Sequence, residues 1–381
     1  MTGNVAEVRP ERVNSIQVLR FAAAFLVVLG HVQHEVVKDL RLPERAWHAA
    51  RLVDWGLGVD IFFVISGFVM YHMTHGVWGA RGMALDFLRR RILRVAPPYW
   101  AFTALVVAIG VVGHTLTVPR LNILFSFLFL PGPSCPDYCV PVYTLGWSLN
   151  FELLFYAVFT ICLLLPRRAG LVCLGAILLS LIIVGQLVPY SWTLPRTWGD
   201  PIIGEFAFGV GLAILHGGGA GNRFSRRGGW TMVVLGVAVA ILAWRTAAFR
   251  YLWRLWTGGI SALLIVGGAT LALEPKRDGA WLRFLIAGGD ASYALYLSHP
   301  FVAKLGLAVA DRSHLLVAAP TARVMIIVAA TIVTALLLHR YLERPILRAL
   351  TRRLSRFGSG GLGDGVPAVG TLGRIVPPTG G

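Results

Sequence analysis

Arg20 and His31 stand near the two ends of one apolar stretch, "VLRFAAAFLVVLGHV" (residues 18–32), where ionisable side chains are costly and tend to face a cavity or a partner. At 100° and 1.5 Å per residue, about three helical turns bring the two positions to within roughly 20° of each other and about 16 Å apart, on one face. A guanidinium gives forked, charge-assisted hydrogen bonds to phosphate or carboxylate. A neutral imidazole can take a proton from a hydroxyl near neutral pH. Taken singly, the arginine also suits snorkelling to headgroups and the histidine one helix–helix hydrogen bond.

Other stretches carry polar groups at telling spacings. "DFLRRRILRVAPPYW" (86–100) places Arg90, Arg91 and Arg94 within one turn of each other. That pattern suits phosphate binding, and ordinary cytoplasmic anchoring equally. "GLGVDIFFVISGF" (56–68) carries Asp60, and "TLGWSLNFELLFY" (144–156) carries Ser148, Asn150, Glu152 and Tyr156. Ser148, Glu152 and Tyr156 follow i, i+4 spacing and share a face. Glu205 lies in "GEFAFGVG" (204–211), and Asp290, Ser292, Tyr293, Tyr296 and His299 lie in "DASYALYLSHPF" (290–301). Five apolar segments therefore carry groups able to point into one cavity. A transporter lumen has the same polar content, so an enzyme and a transporter or flippase for a lipid-linked sugar both remain open on this ground. The histidine pairs in "HVQH" (31–34) and "HMTH" (72–75) would lie at opposite sides of the membrane, and neither alone completes a tetrahedral site, so no metal is expected. No Gly-rich phosphate loop, G-x-S-x-G elbow or H-E-x-x-H motif occurs.

The elements that must hold these groups are membrane helices. The chain is 56% hydrophobic and 14% charged, with mean hydropathy +0.69. A polytopic, all-α membrane bundle is the class this implies. The net charge of +17 resides in short loops between apolar runs rather than in a nucleic-acid-binding face, so no nucleic-acid partner is expected. Spans are predicted at 15–34, 57–75, 92–113, 145–165, 169–188, 201–216, 230–246, 256–273, 292–309 and 321–339, about ten helices. "LNILFSFLFLP" (121–131) is too short to cross and reads as re-entrant or interfacial. With both termini cytoplasmic, about 22 Lys and Arg residues fall inside against about 10 outside, the sense the positive-inside rule requires. The first apolar run lacks a cleavage site and is expected to stay as a helix. The expected organisation is a cytoplasmic N-terminus (1–14), a membrane domain (15–345) and a basic, then Gly/Pro-rich, disordered cytoplasmic tail (346–381). "HGGGAGNRFSRRGG" (216–229) reads as a cytoplasmic linker. Cys135 and Cys139 fall on the outer side, as a disulfide or two free thiols, and Cys162 and Cys173 suit packing.

The ordered set of motifs resembles the acyltransferase 3 family of membrane acyltransferases. The resemblance rests on Arg-x10-His (Arg20, His31), "GVDIFFVISGF", "FLRRRILRVAPPYW", "WSLNFELLFY" and "ASYALYLSHPF", over roughly residues 14–345. Leu153 stands where many relatives have a second acid after Glu152, and nothing here matches the fused esterase-like domain of some relatives. The resemblance implies transfer of an acyl group, usually acetyl, from cytoplasmic acetyl-CoA to a hydroxyl of an exported or cell-surface carbohydrate at the inner (plasma) membrane. Acceptors in such a family include exopolysaccharide, O-antigen, peptidoglycan and macrolide antibiotics, and "LNFELLFY" is closest to the exopolysaccharide branch. It implies acyl-CoA as co-substrate with no permanently bound cofactor, a carbohydrate acceptor, the lipid bilayer and polysaccharide-assembly proteins as partners. It assigns Arg20, Arg90, Arg91 and Arg94 to the coenzyme phosphates and His31 to proton removal, with Glu152 or Asp60 orienting the imidazole. Ser148, Asn150, Tyr156 and His299 are candidates for substrate contact, with His299 also suited to bracing the bundle.

Overall fold

The computed structural model describes residues 13–43, 53–132, 140–189, 191–219, 224–246, 254–275, 279–313 and 320–358. Cys135 and Cys139, and with them the expected disulfide, lie outside these residues, as do the first twelve residues, part of the 216–229 linker and the chain after 358.

In chain order the helices are α1 (Asn14–Asp39), α2 (Leu57–Thr74), α3 (Arg81–Val112), the short α4 (Arg120–Phe127), α5 (Gly146–Leu163), α6 (Arg167–Leu187), the one-turn α7 (Thr193–Trp198) and α8 (Gly204–Gly217). They continue with α9 (Arg226–Arg245), α10 (Ile260–Ala272), α11 (Ala280–Asp290), α12 (Ser292–Ser313), α13 (Pro320–Leu338) and α14 (Arg344–Gly358). Each of the ten predicted spans falls on a helix, and eight of the described helices are long and apolar enough to cross a bilayer. The other two are α8, which with its preceding 3₁₀ turn runs from Pro201 to Gly217, and α12, whose polar residues lower its hydropathy.

Three features differ from the sequence expectation. Helix α3 starts at Arg81 rather than near 92, so its arginines lie on the helix itself instead of leading into it. Helix α11 occupies what read as a loop, and packs on the start of α1, where Gly288 faces Phe21 and Gly289 faces the Gln17 backbone. The head of the expected disordered tail is helical: in α14, Ile346, Leu347 and Leu350 alternate with Arg344, Arg348 and Arg352 at helical spacing, so basic and apolar groups separate onto two faces.

Helix α1 is the central element. Ile16, Ala23 and Val27 join the apolar cluster of α2, α5 and α8, whereas Ala24, Val28 and Val32 join that of α12 and α13. Its free N-terminal N–H groups are taken by Glu274, which accepts from Asn14 N at 2.6 Å, Ser15 N at 3.2 Å and Ser15 Oγ at 2.6 Å. At its other end Asp39 meets buried Arg323 of α13 at 2.9 Å, and Asp311 of α12 meets the same guanidinium at 3.1 Å. Helices α2 and α8 approach closely because Gly67 faces the Phe206 carbonyl and Gly209 faces that of Val64, positions where a side chain has no room.

Candidate active site

A half-open pocket, about 800 Å³ of non-protein space including the solvent at its mouth, lies where α1, α2, α3, α5 and α12 converge. Its polar lining is Arg20 from α1, Ser66 from α2, Arg91 and Arg94 from α3, Ser148, Glu152 and Tyr156 from α5, and Ser292, Tyr293 and Tyr296 from α12. The i, i+4 face of α5 read from sequence is thus the face that lines the pocket. Glu152 accepts from the Tyr156 hydroxyl one turn on and from Ser66 Oγ at 3.3 Å. Tyr293 donates to the Val95 carbonyl at 2.6 Å, tying α12 to α3 beside Pro97 and Pro98.

Three guanidinium groups share this pocket with one carboxylate, which leaves an excess of positive charge. Arg91 is buried, its Nη2 against Met73 Sδ at 2.8 Å and its guanidinium carbon 5.4 Å from the centre of the Phe87 ring. Arg20 and Arg94 make no ion pair or side-chain hydrogen bond among the described residues. Their donors face the pocket, an arrangement that suits a multivalent anion. Arg90 is not part of it. Although only about 40° around α3 from Arg94, it does not line the pocket and is exposed and ion-paired with Asp86 one turn back.

Asp60 and Glu205 sit elsewhere. Asp60 is buried and receives Arg254 Nε at 2.6 Å and Nη2 at 3.2 Å, and Arg254 also donates to the Gly56 carbonyl at 2.6 Å. Arg254 immediately precedes a π-helical turn, Leu255–Gly259, whose Gly258 faces Asp60 and whose Gly259 faces the fully buried Glu205. This cluster joins α2, α8 and α10. No local spacing marks Arg254 for this role, because its carboxylate partner is 194 residues away.

His31 lies beyond the pocket, exposed on the same helix as Arg20. Its Nδ1 is 2.9 Å from the Val27 carbonyl, which can only accept, so Nδ1 carries the hydrogen and Nε2 of the neutral ring keeps a free lone pair. The expectation that Glu152 or Asp60 orients this ring is not met, since Asp60 is engaged by Arg254 and Glu152 by Tyr156 and Ser66. The ring in contact with it is His299 of α12, with centroids 5.0 Å apart. His299 in turn lies 6.2 Å from the ring of Tyr296 at the pocket wall. The Tyr296 hydroxyl bonds Ser148 Oγ at 2.9 Å and the Leu145 carbonyl at 2.9 Å. A contact series thus runs from the arginine pocket through Ser148 and Tyr296 to the two imidazoles. Asn150 is buried away from the pocket, its amide against the carbonyls of Phe129 and Gly146, where it joins α5 to the segment after α4.

An all-helical membrane bundle with a cationic pocket and a histidine beyond it fits an enzyme that grips an anionic donor and removes a proton. The family model described as an acyltransferase domain matches residues 13–340, nearly all of the helical body. The chain belongs to this acyltransferase 3 family and is a multi-pass membrane acyltransferase. It is similar to the exopolysaccharide production protein ExoZ of Rhizobium meliloti (strain 1021), with 32% identity over 76% of this chain and 89% of ExoZ. It is also similar to the acyltransferase MdmB of Streptomyces mycarofaciens, with 26% identity over 91% of this chain and 94% of MdmB. No solved structure matches it.

Proposed function

We propose that the protein moves an acyl group, acetyl as the first choice, from acyl-CoA to a hydroxyl of an exported carbohydrate such as exopolysaccharide, in the inner (plasma) membrane. The observation that carries this reading is the join of a cationic pocket to a free imidazole lone pair along a single helix, Arg20 to His31. Arg20, Arg91 and Arg94 would hold the coenzyme phosphates, and the charge excess of the pocket supplies the affinity. The positive-inside count supports a cytoplasmic location for this end, where acyl-CoA is found. The pantetheine arm would extend past Ser148 and Tyr296 toward His31, whose Nε2 takes the acceptor's proton as its oxygen attacks the thioester carbonyl. Similarity to an exopolysaccharide production protein supports a polysaccharide acceptor.

The test uses purified full-length protein with radiolabelled acetyl-CoA, longer acyl-CoAs and candidate glycans. Label should pass to glycan hydroxyls with wild-type protein and be lost with His31→Ala. Transfer by His31→Ala at the wild-type rate would sink the assignment of the base, and transport of an unmodified glycan without consumption of acyl-CoA would sink the reaction class.

A further inference from the structure

His299 is fully buried on α12 and is followed by Pro300 inside the helix. A proline has no N–H, so the carbonyl four residues before it, that of Tyr296, loses its intrahelical donor. His299 Nδ1 lies 2.7 Å from that carbonyl and can only donate to it. The bond restores the missing contact and fixes the tautomer, leaving Nε2 as an acceptor. That Nε2 is buried with no hydrogen-bond partner among the described residues, a costly state for a polar atom. Its ring is 5.0 Å from the His31 ring, the planes tilted by 49°. The Val27 carbonyl fixes His31 in the same tautomer. Two neutral imidazoles therefore meet, each with an Nε2 lone pair and neither with a proton to offer the other.

We propose that His299 is a positioning residue that shares, through its Nε2, the proton that His31 takes from the acceptor. This rests on the reading of His31 as the base. In the transfer the acceptor O–H bond breaks, its oxygen bonds the acyl carbon, and the C–S bond to coenzyme A breaks. The proton passes to His31, is held between the imidazoles by a small rotation of the exposed His31 ring, and leaves on the coenzyme A sulfur as the thiol. No further reactant is required. Because the neutral pair is unbonded and the protonated pair is hydrogen-bonded, the contact is stronger in the state that forms during transfer than in the resting enzyme, the condition for a contact that accelerates a reaction.

Two isosteres separate this role from simple bracing of α12. In His299→Asn the amide nitrogen takes the Nδ1 position, so the bond to the Tyr296 carbonyl stays while the Nε2 acceptor is lost. In His299→Gln the amide reaches the Nε2 position, where its oxygen can accept. The full-length protein in detergent, checked for equal melting, should show a fall in kcat of about ten- to hundredfold for His299→Asn, with KM for acyl-CoA unchanged. The His299→Gln protein should regain a large part of that loss, and adding His299→Asn to His31→Gln should cost nothing more. A bracing role reverses the order, with His299→Asn active and His299→Gln impaired; that result, or full activity in both, overturns the proposal. Loss in His31→Ala together with full activity in both His299 variants would leave the base assignment standing, whereas an active His31→Ala removes the base assignment itself.

Discussion

At the scale of single residues, one position along a helix decides whether an arginine is available to a ligand. Arg90 and Arg91 are neighbours in sequence, yet Arg90 is spent on Asp86 at the surface while Arg91 lines the pocket with Arg94. Replacing Arg91 and Arg94 together by Gln is expected to weaken acyl-CoA binding tenfold or more, on the order of the charge-assisted bonds removed. The difference from wild type should shrink at high salt as screening weakens the native pocket, and titration calorimetry at two salt concentrations checks both. Arg90→Gln should leave acyl-CoA affinity unchanged in the same measurement. The Asp60–Arg254 pair gives a second prediction. Removing one partner leaves an uncompensated buried charge, so Arg254→Leu should destabilise by about 3–5 kcal/mol. The double variant Asp60→Asn/Arg254→Leu should recover part of that loss, read as melting temperature in detergent. Spacing made the Ser148–Glu152–Tyr156 face legible in advance, because i, i+4 neighbours are fixed by the helix alone. The Arg254 and His299 contacts were not legible, because their partners come from distant parts of the chain.

At the scale of elements, the bundle depends on how closely helices can approach and on how their ends are satisfied. The α2–α8 contact is set by Gly67 and Gly209, each against a carbonyl of the other helix. Gly209→Val would drive a branched side chain into the Val64 carbonyl, and overpacking of this kind costs typically about 1–3 kcal/mol. A lower melting temperature is expected, and Gly211→Val, where the added carbon meets open space, should be tolerated. Glu274 caps α1 from the segment after α10, so Glu274→Ala should cost about 0.5–2 kcal/mol in the same assay. The spans themselves are readable from apolar run length, which is why, α3 apart, their boundaries agree within about five residues. Helix α11 was not, since eleven residues cannot cross a membrane and its glycines matter only against α1.

At the scale of the whole molecule, the charge distribution predicts an orientation. A cysteine placed at Gly218 should be shielded from an impermeant thiol reagent in intact cells, and one at Thr117 labelled, in a background with Cys135 and Cys139 replaced by Ser. The opposite pattern would put the arginine pocket at the outer end of the bundle, away from acyl-CoA. The sequence by itself determined the membrane class, the ten apolar helices and the shared face of Arg20 and His31, because run length and helical period act within a single segment. Only the tertiary structure decided that Arg91 and Arg94 join Arg20 while Arg90 does not, that Asp60 belongs to Arg254, and that His31 meets His299 rather than a carboxylate. Those pairings depend on how helices rotate and pack against one another, and no local period in one helix specifies the side chain that a second helix, hundreds of residues away, brings to meet it.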